Sequence, residues 1–224
     1  MDRRTSARAL YHDKKYQEAL DQLLSDDVSP SEDPDLAYLM GLCYTRMDEY
    51  EEAEFFLIQV VDEDTDILRL FQSRLILSYI YNKTGRFSDA ERELEKLVED
   101  GYESPQIFSS LGYTLWSQGA VTEGVEQYRK ALEAGPENSN ALNALGYILA
   151  DENLNLEEAQ DFCNKATLAH PENASYLDSL GWIHHKRGHR EKALQYLKKA
   201  SDLKPKNSTI KDHIKAVEDH DDFF

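Results

Sequence analysis

Chain breakers and cysteines are scarce in this sequence. Its 224 residues include six prolines, ten glycines and two cysteines, while 41% are hydrophobic, which supports an ordered core. Cys43 and Cys163 stand too far apart to pair and read as packed free thiols, consistent with a reducing compartment. No run of about 18 apolar residues occurs, so no membrane span is expected. The start, Met1 to Ser6, leads into polar sequence without the apolar core of a signal peptide. The expected location is therefore cytoplasmic, or periplasmic if an export signal has been removed.

Basic residues are also in short supply. Lys and Arg number 25 against 43 Asp and Glu, a net charge of −18. From Glu172 onward the two signs nearly balance, ten against nine, whereas the preceding part holds fifteen against thirty-four. Such a surface repels nucleic acid and anionic lipid, which bind through basic patches. It admits a basic or neutral peptide, although solubility is the plainer role of the charge.

Catalytic motifs are missing as well. There is no G-x-S-x-G, H-E-x-x-H, P-loop or G-x-G-x-x-G. His184, His185 and His189 invite a metal reading, but Gly188 interrupts the helical spacing and His184 falls in a column otherwise held by Tyr44 and Tyr81. Asp62, Glu63 and Asp64 lack the alternating oxygen spacing and glycine turn of a calcium loop. The expectation is no catalytic residue, no metal and no cofactor.

What the chain does have is a period. Leu142, Leu145-Gly146, Ala159, Ala166 and Pro171 recur as Leu177, Leu180-Gly181, Ala193, Ala200 and Pro205. The glycine position extends upstream as a column: Ala7, Gly41, Ser78, Gly112, Gly146, Gly181. A second column runs Ala19, Ala53, Ala90, Gly124, Ala159, Ala193. The steps are 34 residues, apart from three extra residues between Ala53 and Ala90 and one between Gly146 and Ala159. Two columns in one register mark a solenoid of repeated units.

The order of leucine, small residue, alanine and proline resembles the tetratricopeptide repeat (TPR), whose period is about 34 residues. The resemblance implies an all-α, right-handed solenoid of antiparallel helix pairs. The small columns would lie where the two backbones of a pair approach, and proline would end the second helix. One pair cannot bury its own apolar face, so neighbours stack. The expected division is a degenerate repeat at 1–33, a repeat with a three-residue insertion near Leu68–Leu70 at 34–70, and repeats at 71–104, 105–138, 139–173 and 174–207. A capping helix at 208–220 follows, with Ile210, Ile214 and Val217 at helical spacing and Leu203 among the residues to be covered; 221–224 is a short tail. Gly124 is expected to mark a close approach of Leu115 or Trp116.

In TPR folds the first helices line a concave groove, and the residue after the first small column points into it. Here that column reads Leu42, Tyr79, Tyr113, Tyr147, Trp182. Tyr38, Asn143 and Asp178 lie one turn earlier, and Asn82, Trp116 and His185 about one turn later. Tyrosine and tryptophan among polar neighbours suit peptide recognition, being large, stiff and tipped with a hydrogen-bonding group. Packing between neighbouring first helices explains the same residues without a ligand. Asn143 is the candidate to grip a peptide backbone, since an amide both donates and accepts. The chaperone-binding TPR subgroup uses Lys, Asn and Arg in these columns, and this chain places aromatics there instead. The segment around Leu145-Gly146-Tyr147 and Leu180-Gly181-Trp182 is similar to many bacterial TPR proteins, some of them envelope-assembly factors. The resemblance therefore implies a non-enzymatic adaptor for a protein or peptide partner. Its alternatives are a self-assembling module of an envelope or multiprotein complex, which would be a homo-oligomer, and a small-molecule binder using the aromatic groove.

Overall fold

A computed structural model describes residues 3–25, 28–63 and 65–219. These residues form thirteen α-helices and one 3₁₀ turn, with no strand among them. The fold is all-α and of the TPR solenoid class. The chain divides into two compact units, Met1–Glu103 and Ser104–Phe224. The first holds three helix pairs: α1 (Arg3–His12) with α2 (Tyr16–Leu24), α3 (Pro34–Arg46) with α4 (Tyr50–Glu63), and α5 (Ile67–Lys83) with α6 (Phe87–Glu99). The second holds α7 (Pro105–Ser117) with α8 (Val121–Ala134), α9 (Ser139–Asp151) with α10 (Leu156–Ala169), and α11 (Ala174–Lys186) with α12 (Arg190–Leu203), followed by α13 (Ser208–Asp219). The expected tail, residues 221–224, and residue 64 of the acidic turn lie outside the described residues. Among the described residues no helix is long and apolar enough to cross a membrane.

Local chemistry sets the helix starts. Asp33 accepts from the backbone N–H of Asp35 and Leu36, and Pro34 takes the first helical position of α3, where its missing N–H costs nothing. Ser104 with Pro105 repeats the device at α7, and Asn138, Asn155 and Asn173 cap α9, α10 and α11. Where proline is absent, after α6, Gly101 turns left-handed at φ 87° and the Tyr102 N–H bonds back to the Leu97 carbonyl at 2.9 Å. The three-residue insertion is helical. It gives α5 seventeen residues, against thirteen in α3, and starts it with the exposed Ile67 and Leu68.

The two small columns meet inside each pair. A Cβ added at Gly146 would stand 2.6 Å from Cys163 Sγ and 2.8 Å from the Ala159 carbonyl oxygen. At Gly124 it would meet the Gly112 oxygen at 2.9 Å and the Trp116 nitrogen at 3.0 Å, so Trp116, and not Leu115, makes the close approach. Over each of Gly41, Gly112, Gly146 and Gly181 sits one buried side chain from the partner helix: Leu57, Tyr128, Cys163 and Leu197. Within each unit the first helices then lie side by side, α1 on α3 on α5, and α7 on α9 on α11 on α13. This arrangement gathers the aromatic column onto one face of each unit.

Helix α13 closes the second unit. Ile210 and Val217 are buried, the first against Ala174, Leu177 and Ala200, the second against Ala193 and Leu197. Leu203 is not under this cover and remains 46% exposed. It sits at the C-terminal end of α12, beyond the residues against which α13 packs.

The backbone contact at Gly146 has a measurable consequence. Gly146→Ala should lower stability by about 1–3 kcal/mol, because a carbonyl oxygen cannot rotate away. Gly41→Ala should cost less: its Cβ would meet the Leu57 side chain at 2.7 Å, which can shift, while the nearest backbone atom is 3.6 Å away. Urea midpoints of the two variants check the order, and a neutral Gly146→Ala would contradict it.

Candidate functional site

In the first unit, Tyr38 is buried and its hydroxyl donates to Gln72 Oε1 at 2.6 Å. Leu42 is half-buried, packed between two core clusters. Tyr79 is 44% exposed, meets Tyr50 edge-on at 6.4 Å, and carries the Lys83 ammonium 5.6 Å from its ring centroid. Asn82 lies beside it on α5, half-buried.

The second unit holds a continuous aromatic series. Tyr113, 42% exposed, lies 6.3 Å from Trp116, and Trp116 meets Tyr147 at 6.1 Å with the rings nearly perpendicular. Tyr147 lies 6.2 Å from His213 of α13, and His213 stacks on Trp182 at 4.3 Å with 16° between the planes. Trp182 also packs on His185 at 5.1 Å. Both indole N–H groups donate to carboxylates: Trp116 to Glu152 at 3.2 Å and Trp182 to Asp151 at 3.0 Å. The Lys186 ammonium stands 5.1 Å from the Trp182 ring and donates to the Asp151 carbonyl at 3.1 Å. Burial, with the nearby charges of Asp151 and Asp178, pushes the Tyr147 hydroxyl up to about 12.

Two candidates are engaged inside the chain. Asp178 is buried, and its carboxylate accepts from His213 Nδ1 at 2.9 Å. Asn143 turns its side-chain oxygen toward the Cys163 thiol, at 3.7 Å. Sequence reasoning missed His213, Asp151 and Glu152. The signal for His213 is its distance of 35 residues from Asp178, one period. Asp151 ends α9 and Glu152 follows it as the C-cap, where repeat spacing gives no sign of their indole partners.

Neither cysteine supplies a thiolate to this face. Burial pushes the Cys43 thiol up to about 11 and the Cys163 thiol higher still, so both are protonated near neutral pH. The accessible groups of the aromatic series are ring faces, hydroxyls and carboxylates.

Comparison with known proteins agrees with the fold. A family model described as tetratricopeptide repeat matches residues 79–139 and 111–170, and a second of the same description matches 174–207. A model for anaphase-promoting complex, cyclosome, subunit 3 matches residues 2–60. No curated protein matches. Among solved structures, YrrB, a TPR protein with an unusual peptide-binding site, is 21% identical, covers 89% of this chain and 97% of its own, and superposes with a TM-score of 0.58. The hetero-tetramer Cut9-Hcn1 of the APC/C is 14% identical, covers 95% of this chain and 41% of that one, with a TM-score of 0.77. A tetratricopeptide repeat protein from Parabacteroides merdae is 16% identical over 96% and 83% of the two chains, with a TM-score of 0.74. At these identities the likeness is one of fold.

His184 belongs to packing. It is buried, stacks on Tyr196 with 8° between the rings, and faces His189 with the two Nδ1 atoms 3.5 Å apart. Burial first, then the charges of His189, Lys192 and Arg187, hold its pKa below the usual histidine value of 6.5. The folded chain therefore binds fewer protons here than the unfolded one. This histidine has no effect above about pH 7.5, and costs stability as pH falls through 6.5, at no more than about 1.4 kcal/mol per pH unit. His184→Phe keeps the stack without the titration. Its urea midpoint should fall less between pH 7.5 and 5.5 than that of the parent chain; an equal fall would contradict the assignment.

Proposed function

The chain belongs to the tetratricopeptide repeat family, and we propose that it is a non-enzymatic adaptor that holds a peptide or helix of a protein partner against its first helices. The observation that carries this reading is the aromatic series of the second unit. Tyr113, Trp116 and Tyr147 lie on one face with Tyr113 still 42% exposed, although the helices that bear them are otherwise well packed. Large apolar rings left accessible beside hydrogen-bonding groups are the composition of a recognition surface. In the first unit, Tyr79 with Asn82 and Leu42 offers a smaller surface of the same kind, and Tyr38 serves it from behind. In the second, Trp182 and His185 extend the rings, Asp178 holds the His213 that packs on them, and Asn143 lies on α9 four residues before Tyr147.

A second reading, self-association, rests on α4. Phe55 is 61% and Ile58 38% exposed on its outer face. Light scattering over a concentration range separates the two readings.

The adaptor reading predicts the outcome of a paired capture. Proteins retained by the parent chain should be lost by the variant Tyr113→Ala with Tyr147→Ala, since anchoring aromatics commonly contribute about 2 kcal/mol each at an interface. They should be retained by Glu95→Ala with Glu99→Ala, placed on α6. Circular dichroism checks that the double tyrosine variant stays helical. A folded variant that still captures the same proteins would place recognition elsewhere.

A further inference from the structure

The aromatic column is followed four residues later by a second column. The pairs read Tyr79 with Lys83, Tyr113 with Ser117, Tyr147 with Asp151, and Trp182 with Lys186. On a helix this spacing places the second side chain over the first. In two of these pairs, one in each unit, the chain supplies its own cation: Lys83 stands 5.6 Å from the Tyr79 ring and Lys186 5.1 Å from the Trp182 ring. At Tyr113 and Tyr147 the same position carries a hydroxyl and a carboxylate. Among the described residues no Lys or Arg stands over Tyr113, Trp116 or Tyr147.

The charged groups nearest these three rings are the carboxylates of Asp151 and Glu152, with the Lys186 ammonium held 3.1 Å from the Asp151 carbonyl on the Trp182 side. Helix α7 contains no charged residue and α9 a single one, Asp151. Glu152 is exposed and is held at the indole edge by the Trp116 N–H at 3.2 Å. The nearly perpendicular Trp116 and Tyr147 rings, 6.1 Å apart, set a ring face and a ring edge beside this carboxylate. A cation over an aromatic face is attracted by the ring quadrupole, and arginine adds a planar guanidinium that stacks and pairs with carboxylate. The whole chain, at −18, draws a basic segment toward it.

We propose that the face formed by Tyr113, Trp116, Tyr147 and Glu152 binds an arginine side chain of a basic peptide segment in the partner, completing between the two middle rings the cation contact that Lys83 and Lys186 supply at Tyr79 and Trp182. This inference rests on the adaptor reading and specifies the chemistry of its ligand.

The test uses the full chain and a fluorescein-labelled peptide of alternating alanine and arginine, with the alanine–glutamine peptide for comparison, by fluorescence anisotropy at about 0.15 M salt, where long-range attraction is largely screened. The arginine peptide should bind at least about fivefold more tightly than the glutamine peptide. Glu152→Gln, which keeps an acceptor for Trp116, and Tyr113→Leu, at an exposed ring, should each weaken the arginine peptide by about threefold or more. Glu95→Gln with Glu99→Gln, which removes twice the charge from α6, should leave it within about twofold. Equal binding of both peptides, with both lost in Tyr113→Leu, would overturn the arginine inference and leave the adaptor reading standing. Equal weakening by the α6 variant and by Glu152→Gln would reduce the effect to total charge and overturn the inference. Arginine-peptide binding insensitive to both Tyr113→Leu and Glu152→Gln would overturn both.

Discussion

The structure depends on backbone-to-backbone approach inside each helix pair. Where Gly146 faces Ala159 and Gly112 faces Gly124, no room remains for an extra carbon. A helix-interior glycine costs about 1 kcal/mol relative to alanine, so Gly124 on α8 is tolerated for the contact it permits. That contact lets one large side chain per pair, from Leu57 to Leu197, lie over the small residue and fill the pair's core. With the pairs closed this tightly, neighbouring first helices come into register and their aromatic residues fall on one face. The packing of the pairs and the placement of the aromatic residues are thus linked through a column of missing side chains.

The same periodicity explains how much was legible beforehand. The small columns and helix pairs could be read because a small residue recurs at one place in each repeat, and the capping helix because Ile210, Ile214 and Val217 recur at helical spacing. What could not be read were contacts between unlike residues. The His213–Asp178 bond and the stack of His213 on Trp182 join a cap to a repeat, and neither partner has a counterpart of its kind elsewhere in its column. The bonds of Trp116 to Glu152 and of Trp182 to Asp151 involve a loop residue and a helix-terminal residue, where repeat spacing constrains side chains least. Leu203 was expected under the cap because it is apolar and near the end; it lies beyond the surface that α13 covers.

The cap also changes the meaning of the aromatic series. Trp182, its last tryptophan, is packed within the chain by His213 and Lys186, whereas Tyr113 stays exposed and Trp116 lies beside the Glu152 carboxylate. An aromatic column that looks uniform in sequence is therefore divided, in the second unit, into a supported part and a more open one. On this account, burial and internal partners, more than residue type, separate recognition from packing.

The central claim is that ligand lies on the face of α7 and α9. Hydrogen–deuterium exchange of the full chain, with and without saturating alanine–arginine peptide, tests it without any substitution. The account predicts slowed exchange in the last turns of α7 and α9 and in the segment through Glu152, with α8 and α10 unchanged. Slowed exchange confined to α4, or to α8 and α10, would contradict it.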